Sequence, residues 1–180
     1  MLILFKCKLG FCQLTLENIF LNSKYEAIGA GDMHFLHDKP FYATFDETKK
    51  GKNISFYDAT ALKKNEIKLA DFLMENNRRQ PNWENFSISN TDAYFLLQSE
   101  TEFMYRRTGA SKYYIFDNKG SIKALSADKQ ILPQFSPDDK KIAFIKYNNI
   151  FYKDLQNGNE IQVTFDGKWN SIINGKSDWV

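Results

Sequence analysis

The chain has 180 residues and a mass of 21.0 kDa, with 43% hydrophobic and 26% charged residues, a composition that belongs to a folded domain and excludes a disordered tail. Its 24 basic and 22 acidic residues are interspersed and leave a net charge of +2, so no basic stripe marks nucleic acid as a partner. Both cysteines, Cys7 and Cys12, lie in the opening segment, which excludes disulfide, thiolate-metal and cysteine-nucleophile chemistry from the body of the chain. Aromatic residues make up 16%, and large rings favour the pleated, half-buried surface of strands, so an all-β fold leads.

The opening run from Met1 to Gln13 is apolar and basic, interrupted by Lys6 and Lys8. It reads either as a signal-peptide remnant or as an ordinary chain start. No stretch approaches the ~18 apolar residues that a membrane span needs. Residues 14–32 follow as an N-terminal strap. From Met33 onward short apolar segments alternate with polar turns, the texture of antiparallel sheet.

The first group contains Phe41–Phe45 and Ile54–Asp58 as strands and Ile67–Met74 as a last strand or short helix, followed by the polar connector Glu75–Pro81. The second opens at Phe86-Ser87, with strands at Tyr94–Leu97, Tyr113–Asp117 and Ser121–Leu125 and a long loop, Glu100–Gly109, between two of them. The third runs from Phe135 through a Ser136-Pro-Asp-Asp139 turn to strands at Ile142–Ile145, Asn149–Asp154 and Glu160–Phe165, with tight reversals at Asn148-Asn149 and Asn157-Gly158. In the final strand Ile161, Val163 and Phe165 alternate with Gln162 and Thr164, the pattern of one dry and one wet face. Each group closes a strand on an aspartate, at Asp58, Asp117 and Asp154. Copies of roughly 40 to 50 residues with about four short strands each fit propeller blades, and a sandwich would give the same regular strands.

Catalytic signatures are absent from the sequence: there is no Gly-x-Ser-x-Gly elbow, phosphate-cradling glycine loop or cysteine cluster. The histidines, His34 and His37, have the spacing of a metal pair only if that segment is helical, and its surroundings read as strand and turn, so both are assigned to turn and surface. Asp138 and Asp139 are turn residues rather than paired acids, because they follow Ser136-Pro137 and precede a strand. Arg106 and Arg107 sit in the long loop, where binding groups concentrate and where a guanidinium fork can donate paired hydrogen bonds to a carbonyl or carboxylate; a local ion pair with Glu100 or Glu102 is the ordinary alternative. No residue calls for a metal or cofactor.

Several segments together resemble one family. Tyr105-Arg-Arg-Thr108 followed by Lys112–Asp117, the Phe135–Asp139 turn with Ile142-Ala-Phe144, Asn148–Phe151, and Thr164-Phe-Asp-Gly167 through Ile172–Gly175 to Asp178-Trp-Val180 are similar in order and spacing to the dipeptidyl peptidase IV family, and Leu14–Phe20 resembles its mature N-terminus. The resemblance implies a two-domain serine exopeptidase in which an eight-bladed β-propeller caps an α/β-hydrolase domain and admits peptides with a penultimate proline or alanine. This chain would be a partial propeller of about three four-stranded antiparallel blades, near 33–74, 86–126 and 132–165, with the next beginning near 172. It also implies that Arg106 helps hold the substrate's backbone carbonyl, that Asp178-Trp-Val180 leads into an acidic pair receiving the substrate's α-amino group, that the catalytic residues lie in the hydrolase domain, that the whole protein pairs as a homodimer, and that it works in the periplasm, outside the cell or at the cell envelope. Asp139 departs from the family's usual glycine at that turn, and His37–Tyr42 and Lys176-Ser177 are further departures. A non-catalytic propeller, either an inactive relative or an envelope-associated binding module, is the competing expectation.

Overall fold

The computed structural model describes residues 32–49, 51–75, 79–105, 108–117 and 119–176. Strands β1 (His34–Phe35), β2 (Phe41–Thr48), β3 (Gly51–Asp58) and β4 (Lys63–Lys68) form the first sheet, β5 (Trp83–Ile88), β6 (Phe95–Tyr105), β7 (Thr108–Phe116) and β8 (Lys123–Ala124) the second, and β9 (Ile131–Phe135), β10 (Lys141–Lys146), β11 (Asn149–Asp154) and β12 (Glu160–Gln162) the third. Each sheet is a four-stranded antiparallel meander in chain order. The fold is all-β, a partial β-propeller whose sheets do not close into a ring among the described residues.

The stacking of the sheets follows from β6. Successive strand residues point to opposite faces, yet Phe95, Leu96 and Leu97 are all buried. Phe95 and Leu97 join Ala43, Ile54 and Phe56 of the first sheet and Phe116 of their own, whereas Leu96 joins Ile142, Phe144 and Phe151 of the third. A sheet covered on both faces needs an unbroken apolar run rather than an alternating one. Aromatic pairs knit the first interface, with ring centroids 4.7 Å apart for Phe45 and Phe86 and 6.3 Å apart for Phe56 and Phe95, in the tilted and edge-on arrangements that the ring quadrupole favours.

A second device ties the sheets at one end. The turn between first and second strands has the same closing bond in each sheet: Leu36 N donates to Phe41 O, Ser89 N to Tyr94 O and Ser136 N to Lys141 O. Counted from that bond, Lys39, Asp92 and Asp139 are equivalent. Asp92 receives the amides of His37 (3.0 Å) and Asp38 (3.1 Å) from the first sheet, and Asp139 receives those of Asn90 (3.0 Å) and Thr91 (2.8 Å), with the Thr91 hydroxyl at 2.5 Å, from the second. Both aspartates have left-handed φ angles of 56° and 53°, so Asp139 does occupy the backbone conformation that favours glycine. What a glycine could not supply is the carboxylate that reaches the neighbouring sheet.

The three strand-closing aspartates have a different job, within their own sheets. Asp58 accepts the amides of Thr60 and Leu62, Asp117 those of Lys119 and Gly120, and Asp154 those of Gln156 and Asn157. Each caps the turn into its sheet's fourth strand, the local carboxylate-to-amide bonding that makes Asp a turn residue.

The stretch Ile67–Met74 differs from its expected single strand or helix. The fourth strand ends at Lys68, Leu69–Asp71 makes one 3-10 turn, and the chain then pairs with the second sheet, Ile122 N donating to Leu73 O and Glu75 N to Ile122 O, both at 2.9 Å. Ile67, Leu69 and Met74 are all buried, so burial alone does not separate strand, turn and crossover. Lys63 and Lys64 on β4 pair with Asp46, Glu66 and Asp58, and lysines on an edge strand discourage pairing with another chain. The final strand also differs. β12 stops at Gln162, and Ile161, Val163 and Phe165 are exposed while the Thr164 hydroxyl turns inward to Asn149, the reverse of the expected faces. A polar clasp centred on Asn149 fixes that orientation.

Burial pushes the Asp139 carboxyl up, but bonds from the Thr91 and Ser89 hydroxyls and the Thr91 and Asn90 amides outweigh it and hold the group below the ordinary carboxylate value. A carboxyl with a lowered folded-state pKa adds stability above its unfolded pKa and loses it as pH falls through the folded one. Thermal melts of Asp139→Asn beside the native chain should therefore differ most above about pH 5 and draw together as the pH falls below the ordinary carboxylate value of 3.8. A difference that is constant with pH would show that the Asp139 charge does not tie the sheets. Asp139→Ala should cost more than Asp139→Gly by about 1 kcal/mol, because alanine loses the carboxylate and keeps the left-handed penalty.

Candidate functional site

Turns in a meander alternate between its two ends, so each hairpin between second and third strands lies opposite the aspartate-tied turns. The β6–β7 hairpin is the longest of the three, with strands of 11 and 9 residues against 8 and 8 in the first sheet and 6 and 6 in the third. The segment Glu100–Gly109, expected as a loop, is thus mostly strand: Glu102 pairs with Ala110, Phe103 with Gly109 and Tyr105 with Thr108. The sequence hid this because Glu100-Thr-Glu lacks an apolar alternation, and Glu100, Glu102 and Phe103 are exposed in the arm. Arg106 and Arg107 lie outside the described residues, between the paired Tyr105 and Thr108.

The arm is gripped at its root. The Glu84 carboxylate accepts the Thr101 amide at 3.2 Å and also the Thr101 hydroxyl. Thr101 Oγ1 and Ser111 Oγ stand 2.8 Å apart, and Gln98 Nε2 donates to both, at 3.0 and 2.9 Å. On the other side Ser111 and Gln130 exchange backbone bonds of 3.0 and 2.8 Å, and Lys129 reaches Glu102 at 2.7 Å. Gly109 is required where the arm strands meet, since a Cβ there would lie 2.9 Å from Glu102 O.

The segment after β12 folds over the β10–β11 turn. Tyr147 and Asn148 both have left-handed φ, 53° and 59°, so the reversal sits one residue before the expected Asn148-Asn149. Asn149, buried, is the hub: its Oδ1 accepts from Thr164 Oγ1 (3.1 Å) and the Gly167 amide (2.9 Å), and its Nδ2 donates to Tyr147 O (3.1 Å). Asn174 N donates to Asn148 O at 3.0 Å and its side chain to Asp166 at 2.9 Å. A Cβ on Gly167 would lie 2.4 Å from Asn148 O. Thr164, Gly167 and Asn174 are thereby given a physical reason for the spacing that the sequence motif displays. Phe165 and Trp169 on the same segment are 78% and 73% exposed. Asp178, Trp179 and Val180 lie outside the described residues, as do residues 1–13, Cys7 and Cys12 included, and nearly all of the 14–32 strap.

The remaining candidates stay apart from these features. The His34 ring packs 4.4 Å from that of Phe86, and His37 Nδ1 lies 3.3 Å from Asp92 in the tied turn. Asp138 accepts its own turn's Ser136 hydroxyl and Lys140 amide, which lower its pKa, while Asp139 faces the second sheet, so the two are not a catalytic pair. Among the described residues no group of three or more His, Cys, Asp and Glu side chains is placed to hold a metal ion.

These sheets define a class, the β-propeller segment that carries a projecting hairpin. The family model described as the dipeptidyl peptidase IV (DPP IV) N-terminal region matches residues 89–180, and the chain belongs to that family. It is 30% identical over 102 residues to human prolyl endopeptidase FAP, 55% of this chain and 13% of that protein, and 27% identical over 99 residues to dipeptidyl peptidase 4 of Felis catus, 53% of this chain and 13% of the relative. The crystal structure of Porphyromonas gingivalis dipeptidyl peptidase 4 superposes with a TM-score of 0.74 at 29% identity, over 92% of this chain and 24% of that one. The chain thus spans about an eighth of these curated relatives and about a quarter of the solved enzyme.

Asn149→Ala removes the acceptor shared by Thr164 and Gly167, and losing bonds to a buried group costs about 1–3 kcal/mol. Limited trypsin digestion should then cleave after Lys168 and Lys176 roughly tenfold faster or more than in the native chain, with local opening rather than global unfolding as the route. Unchanged cleavage would mean that the clasp does not hold the segment.

Proposed function

We propose that this chain is the N-terminal propeller portion of a serine exopeptidase that releases Xaa-Pro and Xaa-Ala dipeptides from free peptide N-termini. The observation that carries the reading is the family's propeller fold combined with a hairpin arm that extends past its own sheet and bears Tyr105-Arg-Arg-Thr108 at its end. In this reading the propeller limits access to a hydrolase domain of the same protein, and Arg106 donates to a backbone carbonyl of the peptide. A guanidinium suits that role because its planar fork holds two directed N–H groups, whereas an ammonium is a point charge. By the family resemblance, an acidic pair in the complete protein takes the peptide's α-ammonium group. A buried ammonium–carboxylate contact selects a free N-terminus and fixes the cut two residues in, by positioning rather than by chemistry. Hydrolysis itself needs a nucleophile, base and oxyanion hole supplied by the hydrolase domain. A homodimer, and work in the periplasm, at the envelope or outside the cell, belong to the same proposal.

The test is hydrolysis of Gly-Pro-p-nitroanilide by the full-length protein. It should turn over, and the N-acetylated substrate should not. Arg106→Ala should lower kcat/KM about tenfold or more, the loss of a charge-assisted hydrogen bond, and unchanged kinetics would remove Arg106 from the site. Absence of turnover, with peptide binding retained, would favour a non-catalytic binding module.

A further inference from the structure

Two irregularities meet at the root of the arm. In β5, Trp83 pairs with Ser99 and Asn85 with Gln98, so Glu84 is an extra residue on its strand. In β6, Ser99 pairs with Lys112 and Glu102 with Ala110, so Glu100 and Thr101 together face Ser111, and Glu100 has a left-handed φ of 53°. Each is a β-bulge, a feature that displaces a residue from the ladder, bends the strand and re-aims the chain beyond the bend. The bulges are joined directly, since the Glu84 carboxylate takes the Thr101 amide and hydroxyl. Thr101 is in turn fixed to Ser111 on the returning strand. Ser111 is 1% exposed and Gln98 half-buried, so the junction is tied into the sheet on its inner side even though Glu84 is exposed.

We infer that Glu84 and Thr101 are positioning residues, which set the direction in which the β6–β7 arm leaves the sheet and so place the arm's tip against the bound peptide. The inference rests on the reading of Arg106 as a substrate contact and extends it to residues that touch no substrate. A bulge without its carboxylate leaves the Thr101 amide without its acceptor and frees the arm to swing about Ser99, and a small misplacement of a binding group is costly because orientation is part of what a site supplies. Both Glu84 carboxylate oxygens accept from the Thr101 amide, and Oε2 also takes the Thr101 hydroxyl.

The experiment is a kinetic double-mutant cycle in the full-length protein with Gly-Pro-p-nitroanilide. Glu84→Ala and Thr101→Val should each raise KM about five- to tenfold, the scale of one lost hydrogen bond, with kcat nearly unchanged. Thr101→Ser keeps both donors and should restore the native KM. In an Arg106→Ala background neither Glu84→Ala nor Thr101→Val should raise KM further, because a residue acting only through the arm has nothing left to position. If Glu84→Ala leaves KM unchanged while Arg106→Ala raises it, the positioning role is wrong and the Arg106 contact stands. If Glu84→Ala raises KM by the same factor with and without Arg106, the effect is general destabilisation and the inference falls. If Arg106→Ala itself has no effect, or the full-length protein does not turn over, the contact reading fails and this inference with it.

Discussion

The second sheet is buried on both faces, and the rest of the structure depends on that constraint. Phe95 and Leu97 fill one interface and Leu96 the other, and each such side chain contributes about 1.5–3 kcal/mol on full burial. With both faces apolar, the sheet can satisfy polar groups only at its ends and along its edges. The aspartate-tied turns lie at one end and the bulged arm root at the other. Leu73–Glu75 lies along the β8 edge.

Two aspartate positions per repeat divide the work at the tied end. One caps a turn within its sheet, at Asp58, Asp117 and Asp154; the other crosses to the preceding sheet, at Asp92 and Asp139. The crossing position costs a left-handed backbone, which Asp tolerates better than most residues because its short side chain bonds locally. In the first sheet that position is Lys39, which cannot accept an amide, and in the third sheet the first donor position is Pro137, which has none. The carboxylate tie therefore joins the first sheet to the second and the second to the third, and its parts are incomplete on the outer turns.

The architecture was legible in the sequence where local chemistry and burial agree. Tyr94–Leu97, Ile142–Ile145 and Asn149–Asp154 are apolar runs bounded by turn residues, and the strand-closing aspartates repeat where they cap turns. Ile131–Phe135 was obscured by Pro133 at its centre, which an edge strand tolerates. The exposed side of residues 161–165 does not follow from the sequence, because alternation reports two faces without saying which is covered, and Asn149 decides that through contacts up to 25 residues away. The arm root was illegible for a related reason: Glu84, Gln98, Thr101 and Ser111 are polar residues scattered over three strands, and only the register with its two bulges brings them together.

The arm and the clasp are polar constructions mounted on an apolar stack, and both depend on the second sheet holding its place between its neighbours. Hydrogen exchange measured residue by residue tests that dependence most directly. The amides of β6 from Phe95 to Leu97 and of β7 from Tyr114 to Phe116 should exchange last, near the rate set by global unfolding, with β4 and β12 exchanging earlier through local opening. Equal or faster exchange in the second sheet than in the outer strands would contradict a sheet sandwiched between two others.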